Sequence, residues 1–307
     1  MSDRRILGLS AGNRDGSADI LLKQALRAAE EAGAEVQMVR VDDLALSLGP
    51  GAGADDSGWF WDQLMESTGL IVSTPIYTRT IPGKLRLLGD KISGPQADVA
   101  FTAEILRMRA AGEELSVNFA IDERVLRPRV GGFICVGGSL PSYWKSLALP
   151  LMHTLTASAQ IGIVDQVQFA GAGSPSSIVL DEAALDRTAE LGRAVAAQLG
   201  REYDDLDYRG APGVCPLCHL DAIVLLPDGI ECASCGAGGR LEVVDGRATA
   251  VFPAEGLRQS ILSYSEKLDH FHEVQETAAR QAADRAHIDR VAAEYAAWDR
   301  TLASPAH

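Results

Sequence analysis

The fold is decided within residues 4–26, RRILGLSAGNRDGSADILLKQAL, where the sequence pattern changes midway. Residues 6–9 form the short apolar run typical of a strand that is buried on both faces. From Ile20 onward, apolar residues recur at helical spacing and polar residues occupy the opposite face. The small and polar residues 10–17 between them include two glycines, which let the backbone turn tightly. The stretch therefore predicts a strand, a loop and a helix N-terminus.

This loop is suited to a phosphate group. A helix N-terminus offers unpaired N–H groups and the positive end of the helix dipole. Ser10 and Ser17 can add hydroxyl donors, and Arg14 adds a positive charge. Neither the G-x-G-x-x-G dinucleotide motif nor the G-x-x-x-x-G-K-[ST] P-loop motif is present. An ordinary strand–helix turn with a serine cap is the alternative interpretation.

Composition limits the classes of function. The chain has 307 residues, 47 % of them hydrophobic, which is enough for a sizeable core. Its formal charge of −14 argues against nucleic acid or an anionic membrane surface as the main partner. The sequence has no apolar run of membrane-spanning length and no signal-peptide core behind its N-terminus. We therefore expect a cytoplasmic protein that binds neither nucleic acid nor membranes.

Strand-like and helical patterns alternate five times up to about residue 203. This alternation predicts an α/β fold with a five-stranded parallel sheet, doubly wound by helices on both faces. Residues 94–129 interrupt the alternation and are predicted to be an insertion. After residue 253 the pattern predicts one long or two shorter helices, whose apolar stripe packs on its own domain or on a subunit partner. The predicted domains are 1–205 with the insertion 94–129, a small domain 206–252, and a helical segment 253–307.

Three loops at predicted strand ends carry a family resemblance. The first is LSAGNRDGSA at 9–18, the second contains TPIY at 74–77 and IPGKL at 81–85, and the third is VGGS at 136–139. Together they resemble the NADPH-dependent FMN reductase and iron-sulfur flavoprotein group of the flavodoxin-like fold. The first loop takes the place of the family's G-S-P-R-x-x-G-N-T loop but lacks its proline, and Ala18 stands where a hydroxyl is usual.

The resemblance implies an FMN site and assigns residues to it. In sheets of this type, ligands bind at the switch between strands one and three, where the first two loops lie. Gly137 and Gly138 allow close backbone approach, and we expect their N–H groups to face the negative charge of a reduced flavin ring. The flavin performs the chemistry, so no pair of acid and base residues is required, and Tyr77 is the one catalytic candidate. The alternative interpretation of residues 75–77 is a rigid turn with a core tyrosine. The residues implied for the phosphate are Ser10, Asn13, Arg14, Gly16 and Ser17, and those implied for the ring are Pro75, Ile76, Tyr77, Gly137, Gly138 and Ser139.

Four of the five cysteines form two C-x-x-C pairs, Cys215/Cys218 and Cys232/Cys235. In a chain without an export signal this spacing predicts a four-thiolate metal site in a zinc ribbon, with zinc favoured over iron. Such a short segment cannot build a core without metal. The cluster cysteines of iron-sulfur flavoproteins lie compactly within the flavodoxin-like domain, so we expect no iron-sulfur cluster. Residues 211–250 carry a net charge of −3, which favours subunit contact or partner docking over nucleic acid.

The remaining cysteine and histidines are expected to be structural. Cys135 lies in an apolar strand, which predicts a buried thiol. His153 is expected to pack or cap rather than act as a base. His219 follows a ligand cysteine, but four thiolates already complete the site.

The resemblance implies an FMN-dependent NAD(P)H oxidoreductase. Its acceptor would be a small molecule such as free flavin, a quinone or another electron-poor aromatic, and family members imply a homo-dimer or homo-tetramer. If the insertion and the C-terminal segment cover the flavin, a dedicated pathway enzyme is expected. The alternatives are a flavodoxin-like electron carrier, an interaction module whose ribbon docks a redox partner protein, and a ligand-sensing regulator.

Overall fold

The computed structural model describes residues 4–49 and 53–302, and predictions for 1–3, 50–52 and 303–307 lie outside the described residues. Its first sheet is parallel throughout, with strand order β2-β1-β3-β4-β5. This order confirms the predicted five-stranded, doubly wound sheet. Its strands are β1 Arg5–Ser10, β2 Glu35–Arg40, β3 Gly69–Pro75, β4 Val130–Val136 and β5 Gly162–Phe169.

Helices cover both faces of this sheet. Apolar side chains alternate along β1, so that Leu7 joins the core on one face and Ile6 joins the core on the other. The α-helices up to residue 197 are α1 Ser17–Glu31, α2 Ser57–Met65, α3 Gly83–Ile92, α4 Val99–Ala111, α5 Ala148–Thr156 and α6 Glu182–Ala197. The first face packs against α2, α3 and α5, and the second packs against α1 and α6.

The order in which successive strands join the sheet reverses at β1, because β2 lies on one side of it and β3, β4 and β5 lie on the other. This strand lies between β2 and β3, and its last residue, Ser10, is level with Arg40 on one side and Ser73 on the other. The loops that follow β1 and β3 therefore leave the same edge of the sheet on opposite sides of a crevice. Ligands of doubly wound sheets bind in this position.

The region after the first sheet forms a second, antiparallel sheet of four strands followed by three helices. Its last two strands form a hairpin, because Asp245 and Gly246 adopt positive φ values of 52° and 74° and turn the chain back. The strands are β6 Ile223–Leu226, β7 Gly229–Cys232, β8 Gly238–Val244 and β9 Arg247–Val251. The helices are α7 Ala254–Arg258, α8 Tyr264–Ala282 and α9 Arg285–Ala297.

Two contacts join this region to the first sheet. The four paired cysteines belong to the same buried cluster as Leu7 and Phe133, so the ribbon packs directly on one helix layer. The predicted insertion contributes α4, whose Phe101 meets Phe271 of α8 edge to face at 5.1 Å. The domain boundaries stay predictions, since the regions share a core.

The apolar stripe of the last helix is not buried against the described part of the chain. Tyr295 of α9 and Trp298, which directly follows this helix, are exposed. Among residues 4–49 and 53–302, none of the helices has the length and hydrophobicity needed to cross a membrane.

Candidate functional site

A cavity of about 550 Å³ lies at the carboxyl ends of β1, β3, β4 and β5. This volume is in the range of small-molecule and cofactor sites. Four loops supply its walls, one after each of these strands. The lining residues are Gly12, Asn13, Arg14, Gly16, Ser17, Ala18, Pro75, Ile76, Tyr77, Val136, Gly137, Gly138, Ala172, Gly173, Ser174, Pro175 and Ser176.

The cavity brings together all the predicted cofactor residues except two. Ser10 is fully buried in β1, and Ser139 is exposed at the end of the third loop. Neither is among the residues that line the cavity. The contact of the other predicted residues with a cofactor stays a prediction.

The first loop presents the open end of α1 to this cavity. Gly16 is the N-cap of α1 and has no side chain to accept from the first-turn N–H groups. Ser17 and Ala18, in that first turn, line the cavity. A Cβ atom at Gly12 would lie 2.9 Å from Ala18 Cβ, so only glycine fits this approach. The loop therefore offers backbone donors to an anion.

A buried carboxylate, which the sequence analysis missed, holds this loop in shape. Asp19 lies in the first turn of α1, is fully buried and accepts a 3.0 Å hydrogen bond from the N–H of Asp15. Asp15 itself has a φ of 60°. Arg40 Nε donates to Asp19 Oδ1 at 3.0 Å, and Lys23 Nζ lies 2.9 Å from Oδ2. The missed signal is an acidic residue in a helix first turn with a lysine four residues later.

These partners set the charge of Asp19. Burial would raise its pKa, but the hydrogen bonds from Arg40, Lys23 and the Asp15 N–H lower it to about 2. The carboxylate is therefore charged at neutral pH. Because Arg40 and Lys23 pair with this carboxylate and balance its negative charge, Asp19 does not make the loop repel an anion.

Arg14 supplies a positive charge at the cavity. Its guanidinium lies 3.1 Å from the Asp43 carboxylate, and both side chains are largely exposed. An exposed ion pair of this kind contributes little to stability. Arg14 can therefore turn toward an anion at small energetic cost.

The second and third loops lie side by side in the cavity wall. Ile76 N–H donates to Val136 O at 2.9 Å, which continues the pairing of β3 with β4 beyond the strands. The expectation for Gly137 is wrong, because its N–H donates to Phe169 O at 3.1 Å. Gly138 lies close to Gly173. A Cβ atom added at Gly138 would lie 3.0 Å from Gly173 Cα. Small residues here leave room for a planar ring beside the backbone.

A fourth loop, absent from the sequence analysis, closes the cavity. Residues 172–176 follow β5 and line the cavity beside the third loop, where the Ala172 N–H donates to Gly137 O at 3.2 Å. The Ser176 hydroxyl donates to Asp15 O at 2.8 Å, which ties this loop to the first. The run GAGSPSS at 171–177 carries the same small and polar signal as residues 10–17.

The four paired cysteines meet at one point, as their spacing predicts. Their Sγ atoms all lie within 4.8 Å of one another and are buried. The Sγ atoms of Cys215 and Cys235 are 3.6 Å apart, and those of Cys218 and Cys232 are 3.4 Å apart. A tetrahedral zinc–thiolate site with bonds of about 2.3 Å has edges of about 3.8 Å. The cluster is therefore shaped for a metal ion.

Each C-x-x-C pair closes by the same turn. The N–H of His219 donates to Cys215 O and that of Gly236 donates to Cys232 O, both at 2.9 Å. His219 and Gly236 have positive φ values of 56° and 76°. The His219 ring stacks on Tyr208 with centroids 3.5 Å apart, so it faces an aromatic ring.

A short polar chain connects the metal site with β5. Gln166 Nε2 donates to Cys218 O at 2.7 Å, and His153 Nε2 lies 3.0 Å from Gln166 Oε1. Because the amide oxygen accepts, His153 Nε2 carries the proton. Burial lowers the pKa of His153 to about 4, so the ring is neutral. His153 is thus a packing residue, as expected, and Cys135 is a buried thiol whose pKa burial raises.

The sheet and the cavity define a class of protein. A doubly wound parallel sheet with an uncapped helix N-terminus and a glycine-containing loop at the switch point is the architecture of flavodoxin-like proteins. Gly12 packs closely against Ala18, and Gly138 packs closely against Gly173. Together with the uncapped end of α1, these glycines fit a mononucleotide with a phosphate at one end and a planar ring at the other. FMN has this shape.

The family follows from comparison with known proteins. The family model for NADPH-dependent FMN reductase matches residues 4–170, and the chain belongs to this family. It is therefore an NAD(P)H-dependent flavoenzyme, an oxidoreductase that uses FMN.

Two relatives resemble the chain over nearly its whole length. Flavone synthase cfoJ from Aspergillus candidus is 31 % identical over 93 % of this chain and 93 % of its own. A solved structure of a flavone reductase has a TM-score of 0.81 and 26 % identity, and covers 98 % of this chain and 100 % of its own.

Proposed function

We propose that this flavoenzyme reduces a flavone-type acceptor with NAD(P)H. The chemical class is a flat aromatic ring system conjugated through a carbon–carbon double bond to a carbonyl group. The extent of the likeness carries this proposal: both relatives named for flavones cover more than nine-tenths of the chain, whereas the family model ends at residue 170. The likeness therefore includes the insertion, the ribbon and the C-terminal region.

The four cavity loops support FMN as the resident cofactor. Bound FMN would supply reversible two-electron chemistry between a nicotinamide nucleotide and an organic acceptor. Asn13, Arg14, Gly16 and Ser17 would hold its phosphate, and Pro75, Ile76, Tyr77, Gly137 and Gly138 would frame its ring.

Saturation of a conjugated double bond consumes one hydride and one proton. Among the lining residues, Arg14 and Tyr77 are the two with titratable side chains. An arginine does not release its proton in proteins, whereas a tyrosine hydroxyl can donate and accept. Mutual hydrogen bonds of 2.9 Å between the backbones of Tyr77 and Thr80 fix the position of this tyrosine. We therefore assign proton delivery to Tyr77, with water replenishing its hydroxyl.

We further propose that Zn²⁺ occupies the four-cysteine site in a structural role. Four buried thiolates fill a tetrahedral coordination shell and leave no open position for a substrate. The metal would then fix the ribbon against the helix layer next to β5. A homo-oligomer is also proposed, and the exposed side chains of Tyr295 in α9 and Trp298 just after it support a subunit contact.

The test of the acceptor is anaerobic turnover with NADH, NADPH and flavone, with product identified by mass. We expect FMN-loaded protein to convert flavone to its dihydro form, gaining two hydrogen atoms. The control is Tyr77→Phe, which keeps the ring and removes the hydroxyl, and should lower kcat about 10²-fold with KM little changed. Rapid reduction of ferricyanide without any flavone turnover would refute the proposed acceptor.

A further inference from the structure

Large apolar side chains are exposed on one segment beside the cavity. Residues 139–147 connect β4 with α5 and directly follow Gly138 of the cavity wall. Tyr143 and Trp144 are 64 % and 45 % exposed, and Leu140 and Leu147 are exposed as well. The rings of Tyr143 and Trp144 are inclined to one another with centroids 6.3 Å apart. Contiguous exposure of this kind marks an interaction surface.

The segment, here called the 139–147 wall, runs along the mouth of the cavity. At one end, a Cβ atom at Gly171 would lie 3.5 Å from Leu140 Cδ2, and Gly171 precedes the lining loop 172–176. At the other end, Arg79 Nη2 donates to Ser146 Oγ at 2.9 Å, and Arg79 follows the lining residue Tyr77. The wall therefore spans from the fourth loop to the second.

The turn that positions Arg79 is strained. Thr78 and Arg79 have φ values of 44° and 75°, in the left-handed region that favours glycine. Two backbone hydrogen bonds close this turn, from the Tyr77 N–H to Thr80 O and from the Thr80 N–H to Tyr77 O. A β-branched residue in such a conformation is costly and is found where function requires it. Here the turn places Tyr77 at the edge of the cavity, where it is 54 % exposed, and brings Arg79 to Ser146 of the wall.

We propose that the 139–147 wall and Arg79 form the binding site for the acceptor. Tyr143 and Trp144 would pack against the flat face of an aromatic ketone, and Arg79 would donate to its carbonyl or phenolate oxygen. An aromatic face suits a planar apolar ligand. The guanidinium donates one N–H to Ser146 and has further N–H groups for a ligand oxygen. This inference rests on the proposed function, since it gives that acceptor its place.

Single variants Tyr143→Ala and Trp144→Ala test the wall. Each is expected to raise the KM for flavone about tenfold. FMN content and the rate of ferricyanide reduction by NAD(P)H should stay within twofold, because ferricyanide accepts electrons without stacking on the wall. Trp59→Ala is the matched control, since Trp59 is 51 % exposed but lies on α2; it should leave every constant unchanged.

Arg79 has its own test. Arg79→Ala should raise the flavone KM about fivefold, and Arg79→Lys should recover part of this loss because it keeps the charge. A change in kcat with unchanged KM would show that Arg79 does not bind the acceptor.

The failure of the wall and the failure of the proposed function give different results. Flavone turnover by the wild type with unchanged KM in both aromatic variants would overturn the wall alone. Flavone binding is measured separately by calorimetry, so that absence of turnover does not end the test. If the wild type binds flavone and Trp144→Ala does not, the proposed binding site is supported. If the wild type itself does not bind flavone, the proposed binding site is overturned. A change of oligomeric state in Trp144→Ala with unchanged flavone KM would show that the wall contacts a second copy, which also overturns the proposal.

Discussion

The cavity and the metal site are built in opposite ways. The metal site consists of four side chains from two short repeats, 215–218 and 232–235, each closed by the same backbone turn. The cavity consists mainly of backbone and small side chains from four loops that lie far apart in the sequence. In the first case local spacing fixes the ligands, whereas in the second the sheet must form before the loops meet. Stability is therefore expected to depend on the metal site, and function on the cavity.

Removal of a metal ligand should have the largest effect. Cys218→Ser leaves three thiolates in a buried site, and zinc binding of this kind contributes of order 10 kcal/mol to folding. We expect loss of the metal and destabilisation by about 5 kcal/mol or more, seen by metal analysis and thermal unfolding. Cys135→Ala is the control, because Cys135 is equally buried but lies outside the site; it should keep the metal and lose about 1 kcal/mol. Equal effects of both variants would contradict a metal role.

Asp19→Asn should have the next largest effect, and it acts on the cavity. The substitution removes the charge that pairs with Arg40 and Lys23, and loss of one partner of a buried pair costs about 3 kcal/mol. We expect weaker FMN binding as well, since the single amide oxygen of asparagine cannot accept from both the Asp15 N–H and Arg40 Nε as the two carboxylate oxygens do. Chemical denaturation and FMN titration measure the two effects. Asp186→Asn, at an exposed position of α6, should change neither.

The same carboxylate gives a pH dependence. The pKa of Asp19 is lowered in the folded protein from 3.8 to about 2, so the unfolded chain takes up the proton first as pH falls. The stabilisation, about 2 kcal/mol, is thus fully present above pH 4 and is lost between about pH 4 and pH 2. Unfolding free energies measured across this window should fall less steeply in Asp19→Asn than in the wild type. Parallel curves would show that Asp19 is not the group responsible.

Gln166→Leu tests whether the two regions are separate. It leaves Cys218 O and His153 Nε2 unpaired in the core, at a cost of about 2 kcal/mol. If the regions are independent, zinc affinity and stability fall while FMN affinity stays within twofold. An FMN affinity that falls in parallel with the zinc affinity would show that β5 transmits the change to the loop at 172–176.

Arg14→Ala should have the smallest effect, confined to the cofactor. Loss of one exposed cation is expected to weaken FMN binding about tenfold, or about 1.4 kcal/mol, with no change in unfolding temperature. Asp43→Ala is the matched control because it frees Arg14 from its ion pair. It should leave FMN affinity equal or stronger. If both variants weaken FMN binding alike, the ion pair rather than the cation is what FMN requires.

The sequence was most informative where the signal is local. The cysteine spacing placed all four thiols at one point, and the change from strand to helix at 4–26 placed the first loop at the switch point. The loop at 172–176 has a comparable composition, but nothing in its own sequence shows that it reaches Asp15. Asp19 and Arg40 lie on different elements, so their pairing appears only when β2 packs beside β1.

The N–H of Gly137 was assigned to a flavin, but the neighbouring strand takes it, since Phe169 O lies opposite. Backbone partners across strands follow from register, which local pattern does not determine. The hairpin of β8 and β9 is a different case, because the Asp245–Gly246 dipeptide between strand-like residues is a local hairpin signal that the sequence analysis did not use.

The most direct test is the composition of protein purified without added flavin or metal. The absorbance spectrum, the identity of the cofactor released on denaturation and the zinc and iron contents are measured on one sample. We expect a flavin spectrum, FMN as the released compound, and about one zinc per chain with negligible iron. A colourless protein that also fails to bind added FMN would contradict the assignment of the cavity to FMN, and a metal-free protein of undiminished stability would contradict the structural role of the four cysteines.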